Sequence, residues 1–138
     1  MDFGCVFFAS PDAYKDVALA EKMGFTHGWL YDSQMLGSDV YAALALCAVN
    51  TRRLIIGPGV TNPLSRIAPV TACAIATINA LAPGRVVLGI GTGNTARRTL
   101  GRARPARRAS SACPTAPMRF TLAVPSGRSN SGNSSSRR

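Results

Sequence analysis

The chain has 138 residues, 46% of them hydrophobic, enough for one ordinary domain with a core. Its net charge of +10 is uneven: residues 1–96 hold six basic and six acidic side chains, residues 97–138 ten arginines, no lysine and no acid. That excludes a uniformly basic domain, and no apolar stretch is long enough to span a bilayer.

The N-terminus, MDFGCVFFAS, opens on an acid and lacks a basic n-region, so it reads as structure and not as a signal peptide. Cys5, Cys47, Cys73 and Cys113 are widely spaced, and His27 is the single histidine. No metal-ligand set clusters, so the cysteines read as small buried hydrophobes of a reducing cytoplasm.

Residues 2–9, DFGCVFFA, have strand composition. Ser10-Pro11-Asp12 then opens a helix, with Ser10 suited to the N-cap, and Ala13, Val17 and Ala20 share its apolar face. Gly24 is placed to end it. Residues 26–33, THGWLYDS, form a second strand, on which Trp29 and Tyr31 alternate as packing residues. Ser38-Asp39 begins a second helix that ends at Asn50. RLIIGPGV, residues 53–60, is a third strand. A third helix, Ile67–Leu81, turns Ala72, Ile75, Ala76 and Ile78 inward, and Gly84 stops it. RVVLGIG, residues 85–91, is a fourth strand.

The order is therefore β-α-β-α-β-α-β, with short and nearly continuously apolar strands. This α/β pattern predicts a parallel sheet buried on both faces, as a doubly wound open sheet or as part of a (β/α)8 barrel.

Gly89, Gly91 and Gly93 resemble a dinucleotide loop, but a GxGxxG spacing would need glycine at Asn94 or at Ala96. No acid follows Asp39 to meet a ribose, and no lysine follows Lys22 to complete a phosphate loop. What remains is a strand end whose glycines admit a flat ligand, or a turn that needs positive φ. The third strand ends in Gly57-Pro58-Gly59, which signals a bulge or close backbone approach. Asp32 and Ser33, Thr61 and Asn62, and Asn94 then place polar groups at one sheet edge, where α/β proteins bind ligands. His27 reads as a partly buried boundary residue, and Arg97 and Arg98 as a solvated helix start.

GFTHGWLYDSQ, LIIGPGVTNP, TACAIATINALAPGRVVLGIGTGN and TARRTLG, in that order, resemble the bacterial-luciferase-like superfamily over about residues 2–101. The branch most similar is that of the coenzyme F420-dependent oxidoreductases, including methylenetetrahydromethanopterin reductase. The resemblance implies the first four βα units of a TIM barrel (residues 1–101) and F420 or FMN as cofactor. It also implies hydride transfer to or from a small organic substrate, or oxygen activation with FMN. A non-prolyl cis peptide, here Gly59–Val60, is expected to back the cofactor ring. Asp32 and Ser33 are expected near the ring edge, Thr61 and Asn62 beside the ring or its side chain, and Gly91, Gly93 and Asn94 along the rim. The reductase branch carries a glutamate where Val6 stands, and some sugar-phosphate dehydrogenases of the family a histidine where Ser33 stands, so no general acid or base is assigned.

Residues 102–138 break the pattern. Rich in Arg, Ser, Ala and Pro, they read as a disordered tail from a shifted reading frame or a truncated gene product. The alternative is a non-enzymatic basic protein whose arginine tail binds nucleic acid, although Phe120 is the tail's one aromatic. A four-strand half barrel would expose its inner face and both edges, so self-association is expected, and an isolated chain could lack activity.

Overall fold

The structure is a computed structural model that describes residues 1–101. The expectations for residues 102–138 lie outside the described residues. In chain order the elements are β1 (Gly4–Phe7), α1 (Ala13–Lys22), β2 (His27–Leu30), α2 (Val40–Asn50), β3 (Ile55–Pro58), α3 (Ala68–Leu81) and α4 (Asn94–Thr99). The strands form a parallel sheet in the order β1-β2-β3, with Cys5 opposite Gly28 and Gly28 opposite Ile56.

The order of elements matches the sequence reading through α3, but each strand is only four residues long. Apolar composition marks burial and not ladder bonding. Leu54 is fully buried and still precedes β3. The expected fourth strand is not continuous. Residues 85–91 run beside β3 in two isolated parallel bridges, Ile56 with Val86 and Thr61 with Ile90. Between those bridges the β3 side advances five residues and its partner four, so β3 carries a one-residue bulge at Gly57–Val60. The cis peptide at Gly59–Val60 lies in this bulge.

Helix starts follow local chemistry. Asp39 caps α2, its carboxylate accepting from the amides of Tyr41 (2.9 Å) and Ala42 (3.0 Å). The N-cap of α1 is Asp12 and not Ser10. Ser10 instead offers its carbonyl to the Ala13 amide at 3.2 Å, so the entry is a backbone turn without a side-chain cap. Gly24, at φ +92°, ends this helix as expected. On α3 the inward stripe is Thr71, Ile75 and Ile78. Ala72 is exposed and Ala76 only half-buried, because the true stripe starts one residue earlier and steps by four and three.

α1 packs on β1, α2 on β3, and α3 on α2, and the three helices share one core with the sheet. Leu30, Leu54 and Ile56 are fully buried there with Val17, Leu44 and Cys47. Burial pushes the Cys47 thiol up to about 12, which suits a packing residue and not a nucleophile. The opposite face holds the indole of Trp29, which a Cβ on Gly4 would approach to 3.1 Å and one on Gly59 to 3.4 Å. His27 stacks on this indole at 5.8 Å between centroids. Outward from Trp29 the same face is open: Val6, Phe8 and Tyr31 are about half exposed.

Two charged side chains tie down the N-terminal ends of the strands. Glu21, at the end of α1, accepts from the amides of Arg52 (3.0 Å), Arg53 (2.6 Å) and Leu54 (2.8 Å). Arg85 donates to the carbonyls of Ala48 (3.1 Å), Thr51 (3.0 Å) and Leu54 (2.9 Å) and to the Thr51 hydroxyl (3.1 Å). This guanidinium terminates α2 and fixes where residues 85–91 begin.

Candidate functional site

The C-terminal ends of the strands gather the polar residues. The β2 chain leaves the sheet after the Tyr31 amide bonds the Phe7 carbonyl at 3.1 Å, which puts Asp32 at the rim. On the β3 side the Gly59 amide bonds the Leu30 carbonyl at 2.8 Å. Past the bulge, the Thr61 amide bonds the Gly89 carbonyl (2.9 Å) and the Gly91 amide bonds the Thr61 carbonyl (2.8 Å). Thr61 is thus held by backbone on both sides.

The side chains form one network. The Thr61 hydroxyl donates to Asp32 Oδ2 at 2.6 Å, and Gln34 Nε2 donates to Asp32 Oδ1 at 2.5 Å. Asn62 Nδ2 donates to Gln34 Oε1 at 3.3 Å, while Asn62 Oδ1 accepts from the amides of Leu64 and Ser65. From α2 the Tyr41 hydroxyl reaches Thr61 Oγ1 at 2.9 Å. The Arg66 guanidinium pairs with Asp39 and lies over the Tyr41 ring, 4.6 Å from its centroid.

Burial pushes the Asp32 carboxyl above its ordinary range. The Thr61 hydroxyl, the Arg66 charge and Gln34 pull against that rise, and the Asp39 charge adds to it.

The glycines now have physical reasons. A Cβ at Gly57 would collide with the backbone carbonyl of Val87. A Cβ at Gly89 would meet the Pro58 carbonyl at 2.5 Å, and one at Gly91 would meet Val60 at 2.5 Å. Gly93, at φ +66°, lies against Asn62. The glycines of residues 89–93 clear room for the bulge of the neighbouring segment, and the half-exposed Val60 side chain sits across them.

Of the residues expected at the rim, the structure joins Asp32, Gly59, Val60, Thr61, Asn62, Gly91 and Gly93. Ser33 contributes its carbonyl, which accepts from the amides of Leu36 and Gly37. Asn94 starts α4 and is exposed. Arg97 is partly buried on that helix and Arg98 exposed. Gln34, Tyr41 and Arg66 were not foreseen. Gln34 had a weak signal, standing two residues after Asp32. Tyr41 and Arg66 had none, because their partners lie 20 and 27 residues away in the chain.

A cavity of about 240 Å³ opens beside Thr61 and Asn62, between Ala68, Thr71 and Ile75 of α3 and Leu88. It is mostly apolar and below the roughly 300–1,000 Å³ of ordinary cofactor pockets. The networked rim is therefore the better candidate.

The profile of the luciferase-like monooxygenase family matches residues 11–111. The 5,10-methylenetetrahydromethanopterin reductase of Methanolobus tindarius is 39% identical over 99 residues, covering 70% of this chain and 30% of that protein. The reductase of the same name from Archaeoglobus fulgidus is 42% identical over 97 residues, covering 68% and 29%. An F420-dependent glucose-6-phosphate dehydrogenase of Beutenbergia cavernae is 38% identical over 96 residues, covering 64% and 29%. The solved coenzyme F420-dependent tetrahydromethanopterin reductase of Methanopyrus kandleri superposes with a TM-score of 0.65 at 32% identity, over 72% of this chain and 30% of that one. The chain spans about 30% of the length of the relatives it matches. Its four βα segments correspond to part of a TIM-barrel enzyme, and the chain belongs to the luciferase-like monooxygenase family.

Proposed function

We propose that residues 1–101 are the cofactor-binding part of an F420-dependent oxidoreductase that moves a hydride between the deazaflavin and a small organic substrate. The observation that carries this reading is the rim itself: an Asp32–Thr61–Asn62 network closed by Gln34, beside an apolar bulge at Gly59–Val60. The residues present fit a flat ring. Val60 offers a half-exposed apolar platform, cleared by Gly89 and Gly91, and polar groups line one side of it. When bound, the cofactor supplies a ring carbon that accepts or releases hydride.

In this reading Val60 backs the ring and the bulge sets its height. Asp32, held by Thr61 and Gln34, presents a carboxyl at the ring edge. Thr61 and Asn62 lie beside the ring or its side chain, Gly91 and Gly93 keep the rim low, and Ser33 and Asn94 complete the outer contacts. F420 is favoured over FMN because the relatives' names carry F420. The described cysteines, Cys5, Cys47 and Cys73, are free thiols, which supports a cytoplasmic setting. Among the described residues no helix is long and apolar enough to cross a membrane. The open inner face at Val6, Phe8 and Tyr31 supports self-association of the chain.

A fluorescence titration with F420, and in parallel with FMN and a single-stranded oligonucleotide, tests this reading. The expected result is saturable F420 binding, tighter than FMN, that changes less than about threefold between low and high salt. Oligonucleotide binding with a steep salt dependence, in the absence of cofactor binding, would overturn it in favour of an arginine-tail function.

A further inference from the structure

We propose that Tyr41 is a positioning residue of this site: from α2 its hydroxyl sets the direction of the Thr61 hydroxyl and so aims the Thr61 proton at Asp32. The inference rests on the reading of Asp32 as the carboxyl that serves the ring edge, and it adds a residue outside the rim.

A threonine hydroxyl has one proton and two lone pairs, and an ionised carboxylate has no proton to give. The contact between Thr61 Oγ1 and Asp32 Oδ2, at 2.6 Å, therefore uses the threonine proton. The remaining contact of Thr61 Oγ1, at 2.9 Å to the Tyr41 hydroxyl, must then be donated by tyrosine. The chain of bonds runs one way, Tyr41 to Thr61 to Asp32. Its second bond is the shorter, as expected where the acceptor is charged.

Burial makes this direction matter. Thr61 is 1% exposed and Tyr41 is 5% exposed, so water does not compete for either hydroxyl. Tyr41 is itself fixed at both ends. Its amide is capped by Asp39, and its ring lies under the Arg66 guanidinium that pairs with the same Asp39. One α2 start thereby sets the orientation of a hydroxyl at the rim.

The device has a second state. When Asp32 takes a proton from solvent, it becomes a donor to Thr61, and Thr61 then donates to Tyr41. In that reversed chain the buried Tyr41 proton loses the Thr61 oxygen as its acceptor, so the tyrosine favours the ionised form of Asp32. The charged groups facing Asp32 are Arg66, which favours its ionised form, and Asp39, which opposes it. Gln34 donates to its other oxygen.

The test is a carbon-detected NMR titration of the Asp32 carboxyl in the cofactor-free chain, so that its outcome is independent of whether F420 binds. Thr61→Val removes the donor and is expected to raise the Asp32 midpoint by roughly one pH unit. Tyr41→Phe removes only the polarising hydroxyl and is expected to raise it by roughly half a unit. In the double variant, Tyr41→Phe is expected to add nothing beyond Thr61→Val, whereas Thr61→Ser is expected to keep the wild-type midpoint. An unchanged midpoint in Tyr41→Phe, or the same rise in both backgrounds, would show a merely structural tyrosine and overturn the proposal. Should Tyr41→Phe fail to fold, 3-fluorotyrosine labelling of the unaltered sequence makes the phenol a stronger donor. A lowered Asp32 midpoint then supports the relay, and an unmoved one overturns it.

Discussion

Gly57→Ala is expected to cost the chain more than about 3 kcal/mol, read as a large fall in the urea midpoint followed by circular dichroism. The reason is the nature of the obstacle. A Cβ at this position meets the carbonyl oxygen of Val87, which belongs to the backbone and cannot rotate away. The Val87 amide is also bonded to the Ile56 carbonyl at 3.0 Å, so residues 85–91 cannot retreat without losing their attachment to β3. On the other side stands the Trp29 indole, 3.3 Å from the same Cβ. Gly84→Ala is the matching control. Gly84 has φ +73° and nothing within 4 Å of its built Cβ, so alanine there pays only for a left-handed backbone, about 1 kcal/mol. If the two variants lose similar stability, close packing of the bulge is not what holds the glycine.

Glu21→Ala is expected to lose about 2–3 kcal/mol at neutral pH, and Glu21→Gln about half as much. The carboxylate accepts from three consecutive amides, those of Arg52, Arg53 and Leu54, and so joins α1 to the approach to β3. Burial works to raise the Glu21 pKa, but the amides of Arg53, Leu54 and Arg52 outweigh it and the net direction is down. The sign of the pH dependence follows. A carboxyl with a depressed folded-state pKa contributes stability above its unfolded value, and that contribution disappears as pH falls through the folded value. The gap between wild type and Glu21→Gln should therefore be widest near neutrality and close in acid. The part of this residue that stays exposed to solvent screens its charge and limits the effect. Thermal melts of both chains across the acid range check the convergence, and a gap independent of pH would contradict the assignment.

Much of the fold was legible because its signals are local. Asp39 as a cap, Gly24 as a stop, and the apolar stripe of Ala13, Val17 and Ala20 each depend on neighbours within a turn or two. The alternation of short apolar runs with helices was enough to imply a parallel sheet. Strand lengths were overestimated, because a residue such as Leu54 is buried for packing without extending a ladder. The broken fourth strand was hidden for a related reason: the bulge that interrupts pairing is on β3, about 30 residues earlier in the chain.

The candidate site divides along the same line. Asp32, Thr61 and Asn62 were visible as polar residues ending apolar runs. The glycines of residues 89–93 were visible too, but their role was not. They look like a phosphate loop or a turn, whereas Gly89 and Gly91 make room for Val60. Tyr41 was hidden within an apolar helix, where its hydroxyl gives no sign of a partner 20 residues onward.

The most direct test of the account is to add F420 to the isotope-labelled chain and map which amide resonances move. The account predicts shifts at Asp32, Val60, Thr61, Gly91 and Gly93, with Glu21, Arg53 and Leu54 at the opposite end of the strands unmoved. Shifts confined to the Glu21 end, or none at saturating cofactor, would contradict a deazaflavin site at this rim.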